Sequence, residues 1–328
     1  MFGMDSGEYP LSEPESRGVV DAFSEHPHVG CALTMHTYTG CILTQPYRTD
    51  TPMADGDIEM MKLLAEDLAE GTDYDVFQVC PEFMYEEGEP IPGVWADTIS
   101  TVFGVPGYTV ELWDPFAHVD VEIDSPAEFF QDPDQETVRE MLRGFAEGDG
   151  NVREWQSVEH PQLGAVEVGG LEYLRTIRNP PPDLLAEDCE RAATMANRAR
   201  RALPEVEAEI EVTSLGEGRH EVQLVLENLG FLPTSGLARG EQVSSTPEIG
   251  VALNLADGMQ TDAPERRQLE HMEGWGNLRT GPGRHPAYAG LSTRGHRSWV
   301  SWKIEGDGEV EIEWLAGRGG RGSEVVEL

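Results

Sequence analysis

Two residues in the first third of the chain have side chains and surroundings suited to proton transfer or metal binding. His36 follows an apolar run within Val29–Leu43 (VGCALTMHTYTGCIL), at the start of a polar break spanning His36–Thr39. An imidazole placed there faces the carboxyl edge of a sheet, where clefts form in open α/β folds, and its neutral form is a good metal ligand. The same position also suits a histidine that only holds a loop by hydrogen bonds. Glu111 is the one carboxylate inside Tyr108–Trp113 (YTVELW). If buried, it needs a charge partner or a metal-bound water to act on; on an edge strand it would stand in solvent.

Other groups read differently. His160, in VEHPQLG, stands beyond this region and reads as structural, and His271, His285 and His296 fall in Gly- and Arg-rich loops as surface residues. Gly317–Gly322 (GRGGRG) lacks the Lys-Ser/Thr ending of a phosphate loop and no helix follows, so it reads as a turn.

The elements that must position His36 and Glu111 follow from periodicity. Val29–Leu43 reads as strand material buried on both faces, followed by a loop bearing polar groups at the His36–Thr39 break. Asp57–Ala69 puts Met60, Met61, Leu64 and Leu68 at helical spacing with Gly71 beyond the end, and Thr137–Ala146 is helical by period. Strand and helix alternate, which implies an α/β domain. After the Asn179–Pro182 stop (NPPP), Asp183–Ala202 is helical. Beyond it, Glu205–Leu215, Arg219–Asn228 and Gly308–Trp314 alternate apolar and polar residues at period two, as in a small β-sandwich.

Charge sets the class of partner. The chain has 61 acidic and 23 basic residues, a net charge of −38, and only Lys62 and Lys303 are lysines. No basic patch suited to phosphate backbones stands out, which argues against nucleic acid. Such self-repulsion is relieved in molar salt, so the composition points to a halophilic source. With 39% hydrophobic residues and seven tryptophans the chain has the material for a folded core. No apolar run approaches a membrane span and no signal-peptide pattern opens the sequence. Cys31, Cys41, Cys80 and Cys189 form no C-x-x-C pair and read as buried thiols, with a Cys31–Cys41 bridge the minor alternative.

The segment His36–Leu43 (HTYTGCIL), closed by Pro46-Tyr47, resembles the H-S/T-Y stretch that bears the third zinc ligand in zinc metallocarboxypeptidases. Tyr108–Leu112 (YTVEL) is similar to that family's F-T-x-E-L strand with its catalytic glutamate, and Gly7–Glu15 (GEYPLSEPE) to its segment before the helix leading to the histidine strand. Asp97 stands where the family has a pocket aspartate, which implies a preference for basic C-terminal side chains. Tyr85 is the nearest substitute for the family's substrate-closing tyrosine, whose position is Glu89 here; Tyr85 equally suits a ring that anchors the loop. The resemblance implies an α/β/α fold around a mainly parallel, mixed sheet. It also implies zinc as cofactor with His36 as ligand, Glu111 as general base on a zinc-activated water, and a peptide C-terminus as substrate.

One departure qualifies these expectations. No histidine has a glutamate three residues on, so the family's H-x-x-E motif and its Asn-Arg pair are missing. The expectation is an α/β protein: residues 1–145 as the C-terminal part of a carboxypeptidase-like domain, 146–205 as a connector with a helix, and 206–328 as a β-sandwich. Alone it would be inactive, with a separate chain one source of the missing ligands. The alternative is a non-catalytic peptide- or polymer-binding protein. As given the chain reads as cytoplasmic; a longer precursor with a signal peptide would make it extracellular.

Overall fold

The computed structural model describes residues 8–85, 93–123, 126–148, 152–276 and 295–328. Gly7, Glu89 and His285 lie outside the described residues. Two compact units divide the chain: residues 32–101 with 107–201, and residues 1–31 with 102–106 and 202–328. The fold is α/β in the first unit and an antiparallel sandwich in the second.

In the first unit, β1 (Ala32–Thr37), β2 (Cys41–Thr44), β3 (Asp75–Gln78) and β4 (Gly107–Leu112) form one sheet in the order β1-β4-β2-β3. The pairs β1/β4 and β2/β3 are parallel and β2/β4 is antiparallel, so the sheet is mixed. All four residues of β2 are buried, as a strand covered on both faces requires. The helix Asp55–Ala69 buries Met60, Met61, Leu64 and Leu68, the stripe read from the sequence. Its carboxyl end is held by Arg198, on the helix Leu185–Arg201, whose guanidinium donates to the Leu68 carbonyl at 3.1 Å and also to that of Glu70. A cation at a helix C-terminus meets both the orphan carbonyls and the dipole.

A second core gathers Trp113, Phe116, Met141, Phe145 and Ile177, with Met141 and Phe145 from the helix Gln135–Gly148. Each such side chain contributes about 1.5–3 kcal/mol by leaving water. Within residues 146–205 a hairpin, β5 (Val152–His160) and β6 (Gly164–Leu171), precedes the helix Leu185–Arg201. His160 caps the hairpin turn, Nδ1 accepting from the backbone N–H groups of Gln162 and Leu163 at 3.2 Å each.

In the second unit, β7 (Val206–Gly216), β8 (Arg219–Asn228), β9 (Ile249–Leu255), β10 (Gln260–Thr261), β11 (Arg266–Leu269), β12 (Arg297–Glu305), β13 (Glu309–Leu315) and β14 (Arg321–Glu327) build two four-stranded antiparallel sheets. One runs β10-β12-β8-β7 and the other β11-β9-β13-β14. Alternate residues fill the core between them: Val222, Leu224 and Leu226; Ile249, Val251 and Leu253; Val300, Trp302 and Ile304; Val310 and Ile312. This is the period-two pattern of the sequence realised as inner and outer faces.

Residues 8–31 and 102–106 belong to this unit through definite contacts. Phe23, on the helix Pro14–Glu25, meets Phe103 edge-on with centroids 4.9 Å apart. Arg318, in the GRGGRG turn, is 5% exposed and donates to the carbonyls of Pro27 (2.8 Å), Val29 (2.6 Å), Phe103 (3.0 Å) and Ser235 (3.3 Å). Burial pulls its pKa down to about 10. Gly104, at φ +61, lies so close to Gly240 that an added Cβ would stand 2.0 Å from its backbone nitrogen.

Three expectations are corrected. The break in the first apolar stretch falls at Tyr38–Gly40, leaving His36 inside β1, because the backbone pairs as a strand through Thr37. His271 is not a surface residue: it is 8% exposed, its Nδ1 3.1 Å from the Thr234 hydroxyl. All four cysteines are free, but Cys189 is exposed and Cys31 half-buried, so the set is not uniformly buried.

Candidate functional site

The parallel register of β1 and β4 sets His36 directly beside Glu111. Side chains at one register position on neighbouring strands share a face, and here Nδ1 and Oε1 stand 3.7 Å apart. The His36 side chain is 52% exposed, whereas that of Glu111 is 14% exposed. Burial raises the Glu111 pKa from 4.5 to about 7, with Arg178 pulling the other way. Burial also lowers that of His36. Both shifts favour uncharged forms, so the close approach is not a persistent ion pair despite its distance.

Glu111 opens into a cleft of about 240 Å³ that Tyr38, Tyr85, Phe130, Tyr173 and Arg178 also line. Tyr38 follows β1, joined to Thr37 by a cis peptide bond, and its ring meets Phe130 edge-on at 5.4 Å. Arg178 donates to the Thr37 carbonyl at 3.2 Å and lies over the Tyr38 ring, 5.8 Å from its centroid. Its guanidinium is exposed and forms no ion pair among the described residues. The cleft thus combines a half-buried carboxyl group, aromatic walls and one cation that forms no ion pair among the described residues.

The residues singled out in the sequence separate here. His36 and Glu111 are adjacent, and Tyr85 shares the cleft with Glu111, its ring edge-on to Phe83 at 6.1 Å. Burial raises the Tyr85 pKa, and the Glu111 charge adds to the rise. Asp97 is not among the cleft's lining residues. It accepts from Gln45 Nε2 at 2.9 Å; Gln45 in turn accepts from the Tyr47 N–H at 3.2 Å, and the Tyr47 hydroxyl lies 3.3 Å from that of Thr109. Asp97 therefore anchors a polar chain ending on β4 two residues before Glu111. Arg178 was not identified from the sequence. It stands just before the NPPP stop, three residues after Arg175, and nothing local singles it out; its place in the cleft depends on the chain's return.

Among the described residues, no group of three or more His, Cys, Asp or Glu side chains could hold a metal ion. The zinc that the family resemblance implies therefore does not fit these residues by themselves, which offer one imidazole and one carboxyl group. No described helix is long and apolar enough to cross a membrane.

Comparison with known proteins bears on the sandwich. Residues 206–327 match a family model described as a domain of unknown function (DUF8731). No curated protein matches the chain by sequence. Among solved structures, the GAE domain of GGA2p from Saccharomyces cerevisiae is similar at 11% identity over 38% of this chain and 88% of that one, with a TM-score of 0.23. The β-glucosidase 3B of Thermotoga neapolitana, in complex with α-D-glucose, is similar at 13% identity over 38% of this chain and 16% of that one, with a TM-score of 0.19. Scores this low support no conclusion about fold or activity.

Proposed function

We propose that the cleft around Glu111 receives the C-terminal end of a peptide, as the base-bearing half of a metallocarboxypeptidase-type hydrolytic site. The observation that carries this reading is the placement of His36 and Glu111 at one register position of parallel strands, 3.7 Å apart, with the Glu111 pKa raised to about 7. A carboxyl group titrating near neutrality both takes and returns a proton readily, so Glu111 suits deprotonation of an attacking water and protonation of the leaving amine. Arg178, which forms no ion pair among the described residues, offers a cation for the peptide's terminal carboxylate. Aromatic side chains provide an apolar wall for the terminal residue.

A second reading, binding without hydrolysis, is favoured by the donor set: no metal-holding group accompanies His36 among the described residues. One experiment separates the two. The full chain is titrated with a blocked peptide bearing a free C-terminal carboxylate, and with its C-terminal amide, by calorimetry. The proposal expects the free acid to bind and the amide to bind at least about tenfold more weakly. Arg178→Gln should remove most of that difference, as loss of a charged hydrogen bond of about 1.5–3 kcal/mol requires. Equal affinity for acid and amide, or no binding, would overturn it. Amino-acid release abolished by Glu111→Gln would then mark a hydrolase, and binding without release a recognition module.

A further inference from the structure

β1 closes one side of the mixed sheet and pairs only with β4. The pairing is parallel and its register runs unbroken from Ala32 with Gly107 to Thr37 with Leu112, so no bulge turns the free side away. In such a strand alternate residues aim their N–H and C=O at opposite flanks, so every second residue of β1 directs both groups away from β4. Among the described residues, the one hydrogen bond to the backbone of β1 outside that ladder comes from Arg178, at the Thr37 carbonyl.

Sequence sets this edge apart from the others. Proteins blunt an exposed edge by charge, proline, a bulge or short length. The edge strands β3, β5, β6, β7, β11 and β14 each carry at least one Asp, Glu or Arg, and β10 has only two residues. β1 (ALTMHT) has none of these devices. No Asp, Glu, Lys or Arg occurs from His26 to Tyr47, in a chain that is 26% charged. An edge of six residues, about 20 Å long, is thus left open to pair with another strand.

Continuity with the cleft decides what pairs there. Thr37, the last residue of β1, and Tyr38 after it line the cleft at Glu111, and Arg178 reaches both that cleft and the Thr37 carbonyl. A peptide whose carboxylate end lies in the cleft has its preceding residues beside the carboxyl end of β1. We propose that those residues add to the free edge of β1 as a parallel strand, so that the peptide upstream of the cleft is held by its main chain and its sequence matters little. The direction is parallel because both chains run toward the cleft. A second copy in that place is opposed by repulsion between two chains of net charge −38. The inference rests on the reading of the cleft as the seat of a peptide's C-terminal end.

The test is calorimetric titration of the full chain with an acetylated peptide of alanine and serine ending in phenylalanine, about eight residues long so as to span β1. A series N-methylated at one upstream residue at a time is titrated beside it. N-methylation removes a donor, and in a parallel strand only alternate residues direct theirs at β1. The proposal expects binding at least about tenfold weaker at every second position, and changed less than about twofold at those between. Hydrogen exchange at alternate amides of β1 should slow when the peptide binds. Preference for the free acid over the C-terminal amide with no effect of N-methylation would overturn this inference and leave the cleft reading standing. Alternation with acid and amide bound equally would uphold the added strand and overturn the cleft reading. No binding would overturn both. Losses without alternation, or a dimer whose β1 amides are already protected in the free chain, would overturn the added strand.

Discussion

Glu111 sits where an ionised carboxylate is costly, and that cost can be measured without any substrate. Its pKa is about 7 in the folded chain and about 4.5 when exposed. Below pH 4.5 both states are protonated and the group contributes nothing. Between there and pH 7 the unfolded chain releases a proton that the folded chain keeps, so stability falls as pH rises; above pH 7 the penalty is constant. Glu111→Gln should therefore stabilise the first unit by about 2–3 kcal/mol at pH 8 and have little effect at pH 4, read by denaturant unfolding. A flat profile would place the carboxylate in solvent, and the reverse trend would mean that a cation or hydrogen-bond donors hold it ionised. The pairing of His36 with Glu111 was legible only as two segments of suggestive composition. Composition could not place them side by side, because strand register is set by partners some seventy residues apart.

At the scale of elements, periodicity located helices and strands well, and missed what side chains do at their ends. The stripe in Asp55–Ala69 and the alternation in β7, β8 and β13 stood in the sequence because burial imposes them directly. Arg318 did not, since a glycine-rich turn gives no sign that its arginine is buried. Donating to four backbone carbonyls from three chain segments, it holds the turn, the segment 27–29 and Phe103 together. Arg318→Met keeps the stem and strands those carbonyls, and should cost the second unit roughly 3 kcal/mol or more in denaturant unfolding. A loss under about 0.5 kcal/mol would show that water replaces the guanidinium. His271 escaped the sequence for the same reason: its partner, Thr234, is thirty-seven residues away.

For the whole molecule the governing quantity is the net charge of −38. Screening falls from about 10 Å at 0.1 M salt to about 3 Å at 1 M, so repulsion among exposed carboxylates weakens steeply over that range. The thermal midpoint, followed by circular dichroism, should rise between those salt concentrations. A flat profile would remove the argument for a halophilic origin. Composition alone made this much legible, because net charge needs no knowledge of the fold.

The central claim is that Glu111 is a proton-transferring group in a cleft that receives a peptide's carboxylate end. Its most direct test is the ¹³C titration of the Glu111 side-chain carboxyl by NMR, in the free chain and with saturating blocked peptide. The account predicts a midpoint near 7 that moves upward when the free acid binds, because a second negative charge enters the cleft, and moves less with the amide. A midpoint near the ordinary 4.5, or one that ignores the peptide, would contradict it.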